Sequence, residues 1–375
     1  MRIAHFMDRV PCGGIGTVVD LIHRGTIAAG HESHVITGGR DEGWEDWLLS
    51  SPDWNEDLGF PDEITVFWKW RYRRRFCEAL SRHLVALAPD VIHVHKVPVL
   101  IMIEPVLRRL GIPSVLTVHG IVKGFAGGGA GNFWNRHAFR GALAGSRCRC
   151  VAVSASAARC VEEGLGLAPG RFKVQGNPID EGRFSGRAPV LPPPRSILML
   201  SRLVRMKRIQ TAVRALAVLD DKPEFRLRVA GSGPMQEELE ALADSLSLTA
   251  RVEFLGARRD VPDLLHAAGV VWHLSNSEGG PMVALEAMAA RVPVVVTDVP
   301  GSGELVQHEV NGLVVPLSSP PAVAAATRRL WQDEGLRQRV IEGGLATVVR
   351  HGVARVAAEY VEHYKAAVSE HHARY

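Results

Sequence analysis

Apolar residues in the first half of this chain come in short runs, separated by longer stretches with helical spacing. The runs at 3–7 (Ile3-Ala4-His5-Phe6-Met7), 33–37, 91–95, 114–118 and 150–153 predict strands. Residues 17–30 predict a helix with Val18, Leu21 and Ile22 on one face. Such alternation predicts a parallel sheet with crossover helices. It stops at Gly186-Arg187-Ala188-Pro189-Val190-Leu191-Pro192-Pro193-Pro194. Three consecutive prolines can continue neither a helix nor a central strand, and they stiffen a linker. The alternation then restarts, with strands expected at 196–200, 226–230, 252–255, 270–274, 292–297 and 313–315. Helices are expected at 209–219, 235–246, 261–268, 282–290 and 321–333. A closing amphipathic helix at 353–367 presents Val356, Tyr360, Val361 and Tyr364.

The pattern therefore predicts two α/β domains, each doubly wound and Rossmann-like, facing across a cleft. The first spans 1–186, with the 353–375 helix packing back on it; 187–194 is the linker; the second spans 195–352. In such sheets ligands bind at the carboxyl ends of the strands, where the strand order reverses.

Length and composition agree with this picture. The chain has 375 residues, enough for two cores, and a net charge of +4. A mild basic excess suits an anionic ligand without demanding nucleic acid, and none is expected as a partner. The five cysteines (Cys12, Cys77, Cys148, Cys150, Cys160) form no CxxC pair. An odd count with no signal-like start reads as free thiols in a reducing compartment, so a cytoplasmic protein is expected. No apolar run approaches the roughly 20 residues of a membrane span.

The candidate chemistry concentrates in Ser277-Glu278-Gly279-Gly280-Pro281-Met282-Val283-Ala284-Leu285-Glu286. One carboxylate lies in a glycine-rich turn and the second lies in the apolar helix that follows, with Pro281 expected as its first residue. A helix start is a ready anion site. This one has no Walker lysine and no GxGxxG. A phosphate held there would have a carboxylate on each side, suited to hydroxyl groups. That combination fits a nucleotide sugar.

With this segment stand two others, Leu200-Ser201-Arg202-Leu203-Val204-Arg205-Met206-Lys207 and the stretch from Val299 to Pro316. The three in this order resemble the retaining GT-B glycosyltransferases of family 4, whose second domain carries a G-R-L-x-x-x-K-G stretch and an E-x7-E segment. The resemblance spans nearly all of the chain and is densest from Ser196 to Pro316. It implies a retaining hexosyltransferase that moves a sugar from a UDP- or GDP-linked donor to a hydroxyl of a glycan, glycolipid or small molecule. It implies no metal and no cofactor beyond the donor itself.

Site roles follow from the same resemblance. Arg202 and Lys207 would stabilise the departing diphosphate, where fixed cations act mainly in the transition state. Glu286 would accept from the ribose hydroxyls and Glu278 from the sugar. The N–H groups of Gly280, Met282 and Val283 would cradle phosphate. Here the chain reads Glu-Gly-Gly-Pro where the family more often has Glu-Gly-Phe-Gly, and Pro281 removes one donor. Gly14 and Gly16, in Gly13-Gly14-Ile15-Gly16, would let the first domain's backbone approach the donor. His119, at the end of the 114–118 strand, would lie beside the transferred sugar. Gly231 and Arg258 would line the base pocket. His93 and His95 face one way on their strand, and two ligands fall short of a metal site.

The segment Trp68-Lys69-Trp70-Arg71-Tyr72-Arg73-Arg74-Arg75-Phe76 stands apart. Helical spacing gives it an apolar face (Tyr72, Phe76) and a solvated basic one. A second reading makes Trp68, Trp70, Arg71, Arg74 and Arg75 an acceptor surface or a peripheral membrane contact. Two other functions keep the same residues in play. One is different chemistry on the same fold, a phosphorylase or sugar-nucleotide epimerase. The other is a non-catalytic module binding anionic polymers or membranes through the arginines.

Overall fold

The computed structural model describes residues 1–7, 14–37, 69–120, 130–145, 148–185, 195–219 and 224–373. They form two compact units, Met1–Pro178 with Val353–Tyr375, and Ile179–Gly352.

The first unit contains β1 (Arg2–Met7), α1 (Gly14–Ala28), β2 (Glu32–Thr37), α2 (Lys69–Leu87), β3 (Val91–Val94), α3 (Val97–Leu110), β4 (Ser114–Val118), α4 (Ala130–Gly145), β5 (Arg149–Ala152), α5 (Ala155–Leu165) and β6 (Phe172–Val174). Its six parallel strands lie in the order β2-β1-β3-β4-β5-β6. Helices cover both faces, which is why β3 and β4 are buried at every position instead of alternating. Local chemistry sets the helix ends. Ser154 caps α5 by accepting from the Ala157 N–H, and α3 and α5 stop at Gly111 and Gly166 in the left-handed region.

The second unit contains α6 (Glu181–Phe184), β7 (Ser196–Leu200), α7 (Ile209–Val218), β8 (Arg226–Ala230), α8 (Gln236–Ser245), β9 (Val252–Gly256), α9 (Val261–His266), β10 (Val270–His273), α10 (Met282–Ala289), β11 (Val294–Thr297), α11 (Ser302–Leu305), β12 (Leu313–Val315), α12 (Pro320–Gln332) and α13 (Glu334–Arg350). Its parallel order is β12-β11-β10-β7-β8-β9. Trp272 fills its core and donates from Nε1 to Thr327 Oγ1 at 2.9 Å, which satisfies both buried polar groups. The last helix, α14 (Val353–His372), returns to the first unit. Tyr360 and Tyr364 are buried there, and Gly25 on α1 leaves room for Ala357 and Val353.

Two expectations shift. The passage between units falls at Pro178 and Ile179, upstream of the proline run, which lies outside the described residues. Phe184 is buried and the Ile179 N–H donates to His351 O at 2.8 Å, so residues 179–185 are held by the second unit. The first helix begins at Gly14, placing Gly14 and Gly16 in its opening turn. Among the described residues no helix is long and apolar enough to cross a membrane.

Candidate active site

In the second unit the strand order reverses between β7 and β10. The loops leaving these strands meet there. Asn276 N–H donates to Met206 O, and Arg208 Nε donates to Asn276 Oδ1 at 2.6 Å. These contacts bring Lys207, after β7, to Glu278, after β10: Nζ to Oε1 is 2.6 Å, with both side chains mostly buried. His273 Nε2 lies 3.0 Å from the same oxygen. Burial would raise the Glu278 carboxyl, but His273 and the Lys207 ammonium beside it override burial and hold the group well below the usual carboxylate range. Glu278 is therefore ionised wherever the protein is folded near neutral pH.

Two glycines shape these loops. Gly301, at φ 83°, packs on the backbone carbonyls of Glu278 and Gly279, where any Cβ would collide. Gly231, at φ 144°, packs on Ser201 O, and Gly233 on Leu203. Gly231 thus supports the loop that carries Arg202. Arg202 itself is exposed, and Arg258 is engaged with Asp260 through two hydrogen bonds on the surface. Arg208 occupies the closing position of the family's G-R-L-x-x-x-K-G stretch. It adopts the left-handed φ of 52° that a glycine takes freely, and its guanidinium bonds Asn276 and Ser318.

Helix α10 starts at Met282, where the 282–290 helix was expected, but Pro281 is its N-cap and not its first residue. The N–H groups of Met282 and Val283 in this first turn have no carbonyl of the helix to bond. Gly280 immediately precedes the cap. Glu286 sits farther along α10, between the buried positions Leu285 and Ala287. Burial pushes its carboxyl up to about 7, and Arg183 offsets only part of that. The two glutamates of one short segment are therefore held in opposite protonation regimes.

In the first unit, His119 is half-buried just beyond β4, and its Nε2 lies 3.1 Å from His95 Nδ1. His5 on β1 stands in register with His93 on β3, so His5, His93 and His95 cluster with ring nitrogens within 4.8 Å of one another. His93 on β3 and His95 just beyond it, read from the sequence as too few for a metal site, thus gain a third imidazole from the neighbouring strand. Both His93 nitrogens are nevertheless taken, by Tyr364 OH and Thr117 Oγ1 at 2.8 Å each.

Other expectations fall away from these centres. Trp68 lies outside the described residues, as do the side chains of Trp70, Arg71, Arg74 and Arg75. Cys77, Cys148, Cys150 and Cys160 are free thiols, and Cys12 lies outside the described residues. A cavity of about 580 Å³ opens at the opposite end of the second sheet, beside Arg195, Arg226 and Arg251. Arg251 there bonds the carbonyls of Phe225 and Leu219, and Arg195 lies over the Phe225 ring. These arginines hold the loop ends together. Sequence reasoning missed His5, His273, Arg208 and Gly301; a histidine near the carboxyl end of the predicted 270–274 strand was the available signal for His273.

Comparison with known proteins gives the family and the fold. Residues 187–347 match the family described as Glycosyl transferases group 1, and residues 12–183 match Glycosyltransferase Family 4. The uncharacterized glycosyltransferase MJ1607 of Methanocaldococcus jannaschii is 28% identical over 95% of this chain and 95% of its own. The N-acetyl-alpha-D-glucosaminyl L-malate synthase of Bacillus anthracis is 32% identical over 39% of this chain and 38% of its own. Among solved structures, Anabaena Alr3699/HepE in complex with UDP has a TM-score of 0.80 at 20% identity, covering 98% of this chain and 100% of that one. The same protein has also been solved with UDP-glucose, at a TM-score of 0.78. The chain belongs to the group 1, family 4 glycosyltransferases, and its fold is GT-B.

Proposed function

We propose that this glycosyltransferase is retaining and metal-independent, and moves a hexose from a UDP-linked donor to an acceptor hydroxyl. The observation that carries the reading is the Lys207–Glu278 pair at the β7/β10 switch point, directly before the start of α10. The diphosphate would sit against the Met282 and Val283 N–H groups, with Lys207 and Arg202 on its oxygens. Glu278, kept ionised, would accept from sugar hydroxyls. Glu286 would accept from the ribose hydroxyls once it gives up its proton. UDP is favoured because a protein of the same fold binds UDP and UDP-glucose.

In the reaction the bond from the anomeric carbon to the diphosphate oxygen breaks. The acceptor oxygen bonds that carbon on the same face, and its proton passes to the leaving diphosphate. Lys207 and Arg202 stabilise the charge growing on that leaving group, which lets the step proceed without a metal. A cytoplasmic location and the absence of a further cofactor belong to the same reading.

Calorimetric titration with UDP, GDP and ADP, each with and without EDTA, tests it. UDP should bind best, equally well with chelator, and far less in Arg202→Ala. Tight binding of another base, or dependence on a divalent ion, would refute the donor assignment.

A further inference from the structure

Lys207 and Glu278 both project from loops on long side chains. An ammonium on a four-carbon stem and a carboxylate with three rotatable bonds gain by meeting, but two flexible partners do not fix the place where they meet. The backbone beneath Glu278 is tied down: the Ser275 N–H donates to Thr297 Oγ1 at 2.9 Å, and the Thr297 hydroxyl donates to Ser275 O at 2.7 Å. Its side chain needs a rigid neighbour as well.

His273 meets that need. It is the last residue of β10, a strand buried at every position. Side chains alternate along a strand. Trp272, one residue earlier, is pinned on one face by its bond to Thr327 of α12. His273 is thereby turned to the other face, with its side chain only 5% exposed and just two rotatable bonds. Its Nε2 lies 3.0 Å from Glu278 Oε1, the oxygen that Lys207 also contacts. No other polar group among the described residues bonds that buried nitrogen.

The chemistry of the contact is one-way. An ionised carboxylate only accepts, so the nitrogen that faces it carries a proton. Both contacts fall on Oε1, and neither occupies Oε2. Against the upward push of burial, His273 lowers the Glu278 carboxyl more than Lys207 does. The strand residue is therefore the stiffest member of the group and the stronger partner of the carboxylate.

We propose that His273 is a positioning residue that anchors Glu278 Oε1, and through it Lys207 Nζ, in the place where both serve the donor. The inference rests on the reading that Lys207 and Glu278 act on the donor. Groups locked by packing on a strand hold a site more precisely than groups on loops. A misplacement of about 1 Å costs up to roughly 100-fold in rate. The anchoring itself can be observed without any substrate.

The test uses the full chain with the variants His273→Leu and His273→Gln. Leucine removes the N–H; glutamine keeps one at a similar reach on a looser stem. Carboxyl ¹³C titration of glutamate-labelled protein follows Glu278, whose resonance Glu278→Gln identifies. The Glu278 carboxyl should titrate higher in His273→Leu than in the wild type, and between the two in His273→Gln. In transfer assays His273→Leu should lower kcat roughly ten- to 100-fold with KM for the donor within about threefold, and His273→Gln should recover about threefold or more of that loss. Thermal melts check folding. If His273→Leu does not melt cooperatively, His273→Gln decides, and a raised Glu278 titration with a lowered kcat supports the anchor. The proposal is overturned if Glu278 titrates as in the wild type in the folded variants, or if kcat of His273→Leu stays within about twofold. An equal fall of kcat in both variants, marking packing alone, also overturns it. If no glycosyl transfer is found while the Glu278 titration responds to His273, the proposed function fails and the anchor stands. If transfer proceeds and neither readout moves, the anchor fails and the function stands.

Discussion

The two units place side chains at the same topological position and arm it in opposite ways. In the second unit the switch point between β7 and β10 carries full charges, Lys207 against Glu278 with His273 alongside. In the first unit the switch point between β1 and β3 carries imidazoles held neutral. The difference follows from what surrounds each. A carboxylate within 3.0 Å of two basic groups stays ionised despite burial, whereas histidines sealed among strands, with no acid beside them among the described residues, are held neutral. The charged point suits a diphosphate that gathers charge as it leaves. The neutral point suits hydroxyl groups, which need directed hydrogen bonds.

Removing one half of the charged point should have the largest effect. Lys207→Ala should lower turnover about 100- to 1000-fold, the usual effect of losing a preorganised group on a developing charge. It also leaves Glu278 buried with less compensation, so the carboxyl should titrate higher. Transfer assays over a pH series check both. A variant within threefold of wild type would show that the pair is structural only.

Gly301→Ala should come next. Its Cβ would collide with the Glu278 carbonyl, and its φ of 83° disfavours any side chain. A loss of about 2–4 kcal/mol is expected, with weaker nucleotide binding, read from thermal melts and calorimetry.

Glu286 gives the pH prediction. Its folded value of about 7 lies above the unfolded 4.5, so the folded protein holds an extra proton between these pH values. The stability this group contributes is full below about 4.5 and is lost as pH rises toward 7. Glu278 acts oppositely: its contribution is present above its unfolded value and is lost as pH falls through its folded one. On the proposed reading Glu286 accepts from ribose hydroxyls, and its ionised form is the stronger acceptor, so UDP affinity should rise up to tenfold per pH unit below 7 and level off above it. Glu286→Gln should flatten that rise. Calorimetry in two buffers of different ionisation heat should show proton release in the wild type alone.

The smallest effect sharpens the comparison. Arg208→Gly relieves a left-handed backbone worth about 1 kcal/mol and loses the bonds to Asn276 and Ser318, so stability should change by less than about 1 kcal/mol. Arg208→Ala keeps the strain, loses the bonds, and should be the less stable of the two in urea unfolding.

Much of the frame was legible in the chain. Strands 196–200 and 114–118 match the observed ones, because buried parallel strands write themselves as near-continuous apolar runs; 226–230 matches too, although Arg226 and Arg228 interrupt its apolar positions. β6, with one buried residue in three, left no such trace. α13 was missed as well: its Glu334-Gly335 opening and its paired glycines, Gly343 and Gly344, break the helical rhythm, though Gly343 packs against Val310 O. The proline run pointed to a boundary, yet the chain changes units earlier, because Phe184 finds its core in the second unit.

What the amino-acid sequence determined alone was the alternation of elements, the parallel α/β class, and the local segment that puts Glu278 and Glu286 on a turn and the helix after it. These depend on neighbours within about a dozen positions. What the tertiary structure decided were the partnerships. Lys207 meets Glu278, and His5 reaches His119 through His95, only because particular strands lie side by side in a particular register. Hydrophobic burial sets how strands hide but says little about which one lies next to which. The protonation states follow from that adjacency, since the charges and burial that shift them come from residues distant in the chain.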